Sequence, residues 1–193
     1  MNKNDVRYLA TEEKIRNTLF RLLSAKSIDR ISTGKIIAEA GIHKSTFYSH
    51  YPDKYALLEG LETELVAILS PCLEKIFINM FSADYNTADL SGLYSELAAT
   101  IFRYSREFSV LVNNSQYSNL PLRLSEKINE IWSTKGFSSP DNVYHSYLTN
   151  VIAFIMVGAI EKWVRRGCTD PIEIFDTLAN ATGSWIKGAY SLL

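Results

Sequence analysis

The strongest constraint on the fold is residues 32–54, which read STGKIIAEAGIHKSTFYSHYPDK. Ile36, Ile37 and Ala40 fall on one helical face. Gly41 follows at a position where a helix end favours a left-handed backbone. In residues 44–50, Phe47 is the strongly apolar side chain. The pattern predicts two short helices joined by a glycine turn.

The second of these helices would expose most of its polar side chains, because one or two apolar residues are enough to hold it. Two helices joined by a short turn form a helix-turn-helix, in which the second helix lies in the major groove of DNA. Its N-terminal residues contact base edges, which makes His43 and Lys44 the first candidates. The side chains predicted to face outward are Lys44, Ser45, Thr46, Tyr48 and His50.

The ordered set of residues around the turn is more specific than a helix-turn-helix pattern alone. It comprises IIAEAGI at 36–42, TFYSHY at 46–51, then Pro52, Lys54 and the pair Leu57 and Leu58. This set resembles the TetR family of bacterial transcriptional regulators, over roughly residues 15–61. The resemblance implies an all-α protein with a three-helix DNA-binding head and a helical body.

The resemblance also implies roles for individual side chains. Residues 43–46 would open the recognition helix, and Tyr48 and His50 would reach the DNA backbone or bases. Lys54 would touch phosphate, and Lys35 and the capped end of the first helix are further phosphate candidates. The predicted DNA-binding set is Thr33, Lys35, His43, Lys44, Ser45, Thr46, Tyr48, His50 and Lys54.

Three positions depart from the usual pattern of that family. His43 stands where a small N-cap residue such as Ser is common, and Ser45 stands where Gly is frequent. Gly34 falls early in the first helix of the motif, where it costs about 0.8 to 1 kcal/mol relative to Ala. Histidine is also a poor N-cap. These departures bear on the operator sequence and leave the fold unchanged.

Charge is unevenly distributed along the chain. The 193 residues carry a net charge of −1, but residues 1–60 hold ten Lys and Arg against seven Asp and Glu, which gives +3. The remainder holds ten against fourteen, which gives −4. A DNA-reading head on an acidic body has this asymmetry. We predict a DNA-binding domain at 1–69, with its motif at 32–51, and an effector-binding and dimerisation domain at 70–193.

Several function classes are excluded at this level. The sequence has no GxSxG, Walker-type loop or HExxH motif, so it predicts no enzyme and no cofactor. Cys72 and Cys168 are single and fit a reduced, cytoplasmic protein. His43 and His50 are seven residues apart around a turn, so no metal site is expected. The polar start predicts no signal peptide, and the apolar run 151–160 is about half the ~20 residues of a membrane span.

Helical periodicity predicts the remaining architecture in chain order. A loose arm covers residues 1–10, Thr11 caps the first helix, and Asp53 caps a long fourth helix. Pro71 either kinks that helix or begins another. Further helices are predicted at 92–106 and 121–133, with 108–113 as an extension or a short separate helix and loops at 80–91, 113–119 and 135–139.

The last two predicted helices, residues 141–166 and 171–192, are too apolar for a monomer. Between Leu148 and Trp163 the first is apolar nearly all round. One face must meet its own domain and another can meet a partner chain. Two such helices from each of two chains would form a four-helix homodimer interface, which the family resemblance also implies.

The body is rich in aromatic residues, and two interpretations remain open. The resemblance implies a pocket for a small-molecule effector whose binding changes the spacing of the two heads. Aromatic residues at helical spacing also form ordinary cores, which is the alternative. The proposed lining residues are Phe102, Tyr104, Phe108, Tyr117, Trp132 and Tyr147.

Together these features predict a sequence-specific regulator of transcription that binds a double-stranded DNA operator. A repressor relieved by an effector is the first expectation, and an activator or a regulator controlled by a partner protein is the alternative. An interaction module without DNA binding belongs to another class. Lys44, Tyr48 and Lys54 are all present, which argues against that class.

Overall fold

The computed structural model of the protein describes residues 6–80, 87–114, 116–134, 143–171 and 173–190. These residues form α-helices joined by turns, with one 3-10 turn at Ile28–Arg30 and no strand. The predicted all-α fold is therefore confirmed. The helices are α1 Val6–Leu23, α2 Thr33–Ala40, α3 Lys44–His50, α4 Lys54–Met80, α5 Thr87–Arg103, α6 Ser105–Asn113, α7 Leu120–Thr134, α8 Val143–Arg165 and α9 Glu173–Tyr190.

We call residues 6–53 the head and α5 to α9 the body, with α4 joining them. Inside the head, Ile15, Ile36 and Phe47 are fully buried against each other's helices. Ile28, the first residue of the 3-10 turn, and Ile31, directly after the turn, are also fully buried. The connector between α1 and α2 is therefore part of the head's core, although its composition is mostly polar.

The first helix is longer than the sequence pattern indicates. Thr11 was expected as its N-cap, but α1 begins at Val6 and the Thr11 hydroxyl donates back to the carbonyl of Arg7 at 2.8 Å. The predicted loose arm at residues 1–10 is wrong for residues 6–10. Tyr8 explains the difference, because it is buried and its ring stacks on that of His50. Residues 1–5 lie outside the described part of the chain.

The fourth helix carries the head into the body. Its start is capped as predicted, since one carboxylate oxygen of Asp53 accepts hydrogen bonds from the N–H groups of Tyr55 and Ala56, both at 2.8 Å. The helix then continues through Pro71, because Leu69 and Leu73 on either side of it are fully buried. Tertiary packing offsets the ~3 kcal/mol penalty of an interior proline.

Some helix, loop and domain boundaries in the body differ from those expected from the sequence. The chain divides between α5 and α6 at Tyr104, so residues 105–113 form the separate helix of the two options considered. Of the predicted loop 80–91, residues 81–86 lie outside the described residues, but Met80 belongs to α4 and residues 87–91 to α5, so the loop prediction is wrong there. The predicted loop 135–139 lies outside the described residues. The domain boundary expected between residues 69 and 70 falls inside α4, and the functional division there stays a prediction.

The body packs around α4 and α8. α4 lies against α5 and α7, α8 lies against α6 and α7, and α9 lies against α5. One continuous apolar cluster runs from the head through α4 into the body. In α8, residues 147–165 are long and apolar enough to cross a membrane by length and composition, as core helices of soluble proteins also are. Ile152, Met156 and Ile160 of this segment are buried in that apolar cluster.

Candidate nucleic-acid interface

The first helix of the motif, α2, is fixed at both ends by local hydrogen bonds. The Ser32 hydroxyl accepts a hydrogen bond from the N–H of Lys35 at 3.1 Å, so Ser32 is the N-cap. At the other end Gly41 has φ 57° and ψ 45°, a left-handed conformation that costs glycine little. The N–H of Ile42 donates to the carbonyl of Ile37 at 3.3 Å. These bonds set the direction in which the chain enters α3.

The second helix of the motif, α3, is held by one fully buried side chain. Phe47 has no exposed surface, and its ring lies 5.5 Å from that of Tyr48 and 6.3 Å from that of Tyr51, between ring centroids. His43 occupies the N-cap position and makes no side-chain cap bond, as expected for histidine. The orientation of α3 therefore depends on Phe47 and on the glycine turn.

The outer face of α3 carries exposed hydrogen-bond donors. The Lys44 ammonium lies 5.9 Å from the centre of the Tyr48 ring, and Tyr48 is 47% exposed. Ser45 is exposed as well. Thr46 is partly buried, and its carbonyl accepts a hydrogen bond from the Ser49 hydroxyl at 2.7 Å. The structure thus brings Lys44, Ser45 and Tyr48 to one surface.

The end of α3 is supported by α1. The rings of Tyr8 and His50 stack with their centroids 3.8 Å apart, and Nδ1 of His50 is buried with no hydrogen-bond partner. Burial lowers the pKa of His50, and nearby Glu12 opposes that shift. The Tyr51 hydroxyl donates to Glu12 at 2.9 Å, and burial together with this bond raises the pKa of Tyr51. His50 is therefore a supporting residue as well as a predicted DNA contact.

Lys54 already has partners inside the head. Its ammonium donates to the carbonyls of Ile28 at 2.8 Å, Ile31 at 2.9 Å and Asp29 at 3.4 Å. An ammonium has three N–H donors, and all three are used. This arrangement ties α4 to the 3-10 turn. A phosphate contact by Lys54 stays a prediction, and it requires at least one of these carbonyls to be given up.

The predicted phosphate contact Lys35 lies in a small charged group on α2. Its ammonium is 3.5 Å from the carboxylate of Glu39, which is also 2.7 Å from the guanidinium of Arg21 on α1. Glu39 therefore holds two cations on the surface of the head. Thr33, the first residue of α2, is partly buried.

Residues 15–61 match the family described as bacterial regulatory proteins, tetR family. This segment contains the glycine turn, α3 and the start of α4. The chain belongs to the TetR family. Its functional class, a TetR-family transcriptional regulator, follows from this membership.

Known proteins similar to this TetR-family chain cover most of its length. The nucleoid occlusion factor SlmA of Shewanella sediminis is 26% identical over 179 residues, which are 85% of this chain and 88% of that protein. The dihydroxyacetone kinase operon activator DhaS has a TM-score of 0.57 at 16% identity, and the match covers 93% of this chain and 97% of that one. Thermus thermophilus FadR, a TetR-family repressor in complex with lauroyl-CoA, has a TM-score of 0.53 at 15% identity, and the match covers 89% of this chain and 92% of that one. Both structural matches show the common fold.

The six aromatic residues predicted to line an effector pocket lie in different surroundings. Phe108 and Trp132 are fully buried, and Trp132 lies 5.1 Å from the ring of Phe77. Phe102 and Tyr147 are 62% and 72% exposed. Tyr104 lines a cleft beside α1, and Tyr117 lies beside Asp29 in the head. A pocket built from this set stays a prediction, and the arrangement of the six residues gives it no support.

The residues that support α2 and α3 from other parts of the head were not predicted from the sequence. Tyr8 lies seven residues before Ile15 and therefore on the same helical stripe, which could have extended α1 backwards. Glu12 and Glu39 gave no signal, since exposed acids on helices are common. Among the described residues, no three His, Cys, Asp or Glu side chains come together as a metal site would require.

Proposed function

We propose that this chain is a homodimeric repressor that binds a specific double-stranded DNA operator and is released by an effector. The observation that carries the proposal is the surface of α3. One buried residue, Phe47, anchors the helix, and Lys44 and Tyr48 project from its exposed side. A helix held in this way can enter a major groove without disturbing the core.

The contacts divide by their chemistry. Lys44 and Ser45, at the N-terminal end of α3, would read base edges, with His43 and Thr46 as neighbours in the same role. Tyr48 and Lys35 would bind phosphate, which fixes the register of the protein without reading sequence. In a dimer, two copies of α3 would enter successive major grooves roughly 34 to 36 Å apart.

The first test is selection of genomic DNA fragments by the purified protein, followed by salt titration of the best fragment. We expect a pseudo-palindromic site whose affinity falls steeply with salt, because each neutralised phosphate contributes about 0.9 to the slope. A folded protein that enriches no fragment in this selection, even at low salt, would contradict the proposal.

Lys44→Ala makes the test specific to the α3 surface. Loss of a base contact should weaken operator binding by about 1 to 3 kcal/mol and relax specificity at one position. Lys75→Ala is the matched control, because Lys75 is an exposed lysine on α4 that pairs with Glu96 at 2.7 Å, away from the head. The control should bind the operator as the wild type does.

The proposed dimer interface is the exposed face of α8. Four of its side chains are 45% to 77% exposed and follow one another at intervals of three or four residues, namely Tyr144, Tyr147, Val151 and Phe154. Gly158 continues this stripe, and a Cβ placed there would have no heavy atom within 4 Å. Beside it, a groove of about 420 Å³ lies between α8 and α9. A second copy of the chain would cover this surface.

Two glycine substitutions test the interface. Gly158→Leu should block close approach of a second α8 and convert the dimer to monomer, as seen by light scattering coupled to size-exclusion chromatography. Gly92→Leu is the matched control on α5, because Gly92 also has open space around it but is flanked by Asp89, Ser95 and Glu96. Equal effects of both substitutions on the mass would argue against an α8 interface.

An effector bound between α5, α8 and α9 would have to open space there. The small cavity between α5, α8 and α9 measures about 10 Å³, which is room for about one water molecule, and it is lined by residues such as Tyr94, Met156 and Phe175. A drug-sized ligand needs about 300 to 1,000 Å³. Effector relief is therefore proposed as ligand-driven expansion of this core, and FadR in complex with lauroyl-CoA shows that a protein of the same fold takes up a ligand.

An activator is the alternative, and the similarity to the operon activator DhaS keeps it open. The cytoplasm is the proposed location for either. A reporter gene under the selected operator separates the two, because deletion of a repressor raises expression and deletion of an activator lowers it.

A further inference from the structure

A buried acid on α4 contacts the turn that leads into α7. Glu62 is only 2% exposed, whereas the other buried residues of α4 are apolar. One carboxylate oxygen accepts from the backbone N–H of Asn119 at 2.8 Å, and the other accepts from the guanidinium of Arg123 at 2.9 Å. A buried carboxylate is costly unless its oxygens are paired, and here both are.

Arg123 extends the contact along α4. Its second guanidinium nitrogen donates to the exposed carboxylate of Glu59 at 2.6 Å. Glu59 and Glu62 lie one turn apart on the same side of α4, and Tyr55 lies one turn before Glu59. This stripe of α4 therefore faces the residues at 114 and 116–119, which we call the α6–α7 turn.

The α6–α7 turn also contacts the head directly. The Tyr117 hydroxyl lies close enough to the carboxylate of Asp29 in the 3-10 turn for hydrogen bonding to raise the pKa of Tyr117. The Tyr55 hydroxyl donates to the same carboxylate at 3.1 Å. The side-chain amide of Asn114 lies 3.4 Å from the carbonyl of Leu23 at the end of α1. One short turn of the body thus contacts α1, the 3-10 turn and α4.

On another side of α4, the head and the body are separated by a cleft. A cleft of about 390 Å³ lies between α1, α4 and the α5–α6 corner, lined by Arg16, Phe20, Glu64 and Tyr104 among others. An ion pair between Arg16 and Glu64 links α1 to α4 there. The head is therefore bonded to the body on the turn side and has open space on the cleft side.

We propose that the α6–α7 turn positions the head, with Tyr117 acting through Asp29 and Glu62 acting through Asn119 and Arg123. These are positioning residues, since they lie away from the α3 surface. The inference rests on the proposed function, because the angle of each head sets the distance between two copies of α3 in a dimer. Without these bonds, the head samples a wider range of angles.

Loss of positioning has a signature that loss of stability lacks. If only a fraction of molecules hold the heads at the correct spacing, the apparent affinity for the best operator falls by that fraction. Operators with one base pair added or removed between half-sites should then be penalised less than by the wild type. Lower stability alone would weaken binding to all spacings equally.

The test is operator binding by Tyr117→Phe across a series of half-site spacings. We expect roughly tenfold weaker binding at the best spacing and a flatter dependence on spacing. Glu62→Gln should act in the same direction. Tyr55→Phe is the control, because it removes the other hydroxyl on Asp29 but leaves the bond to the α6–α7 turn, and it should keep the wild-type dependence.

Amide hydrogen exchange provides a readout that needs no DNA. Tyr117→Phe should speed exchange in residues 28–31 and 116–119 and leave the middle of α7 unchanged. Unchanged exchange, or an equal loss of affinity at all spacings, overturns the positioning role. Faster exchange in a protein whose wild type binds no DNA would support positioning and reject the proposed function instead.

Discussion

α3 and α8 both expose side chains that the chain itself does not cover, but the chemistry of the two faces differs. α3 exposes Lys44, Ser45 and Tyr48, which carry hydrogen-bond donors. α8 exposes a stripe of aromatic and aliphatic side chains that includes Tyr147 and Phe154. A donor-rich face suits the acceptors of phosphates and base edges, whereas an apolar face suits another apolar helix. The difference indicates two partners of different kinds.

The two helices also differ in how they are anchored. α3 has seven residues and one fully buried side chain, Phe47. α8 has many buried side chains, including Ile152, Met156 and Trp163. Damage to the core should therefore affect the two faces unequally.

Phe47→Ala should produce the largest effect. Truncation of a buried phenylalanine costs about 3 to 5 kcal/mol of unfolding free energy. Phe47 is the one fully buried side chain of α3, and the stack of His50 on Tyr8 would remain as the weaker support. We expect this loss in chemical denaturation, together with loss of operator binding. Ile152→Val, on α8, should cost about 0.5 to 1.5 kcal/mol and leave operator binding intact. Normal DNA affinity in Phe47→Ala would show that contacts other than those of Phe47 hold α3 in its orientation.

A charge placed on each face should separate the partners. Phe154→Glu should weaken dimerisation by roughly 100-fold, or about 2.8 kcal/mol, because an unpaired carboxylate would be buried at the interface. Its monomer should stay folded, since Phe154 is 77% exposed. Tyr48→Glu should leave the dimer intact and abolish operator binding, because the carboxylate would face phosphate. Mass by light scattering and DNA affinity are measured for both variants.

Each of these two variants has a result that would contradict the partner proposed for its face. A dimeric Phe154→Glu would mean that the aromatic stripe of α8 serves another partner or none. A Tyr48→Glu protein that binds its operator normally would place the DNA surface elsewhere on the head. Denaturation curves on both variants exclude unfolding as the cause.

A smaller effect is expected from the charged group on α2. Glu39→Gln should free Lys35 and Arg21 from their shared carboxylate and raise DNA affinity several-fold at low salt. The gain should be similar for operator and random DNA, because phosphate contacts carry no sequence information. Glu96→Gln, which frees Lys75 in the body, is the control and should change neither affinity.

Much of the head could be predicted because local chemistry determines it. Gly41 marks the turn through its backbone freedom, Asp53 marks a helix start through its cap, and Phe47 marks the buried side of α3. Each signal depends on a few neighbouring residues, so a sequence is sufficient to find it. The all-α fold follows in the same way from helical spacing.

The rest depends on contacts between distant residues. Lys54 looks like an exposed cation in the sequence, but three carbonyls some 23 to 26 residues away accept its N–H groups. Tyr8 looks like part of a loose arm until His50 is placed beside it. The surroundings of the six aromatic residues in the body could not be predicted for the same reason, since helical spacing says which side of a helix is apolar and not which residues that side contacts.

His50 gives the smallest expected effect and tests the support of α3 by α1. Burial lowers its pKa below the usual 6.5, so the unfolded chain binds this proton at a higher pH than the folded protein does. Unfolding free energy should therefore fall as pH drops from 6.5 towards the folded pKa, and His50 should contribute no pH dependence above that range. His50→Gln should flatten this part of the profile, whereas His43→Gln, at an exposed residue, should keep it. A wild-type slope in His50→Gln, measured by denaturation between pH 5 and 7.5, would mean that the stack on Tyr8 does not hold the imidazole neutral.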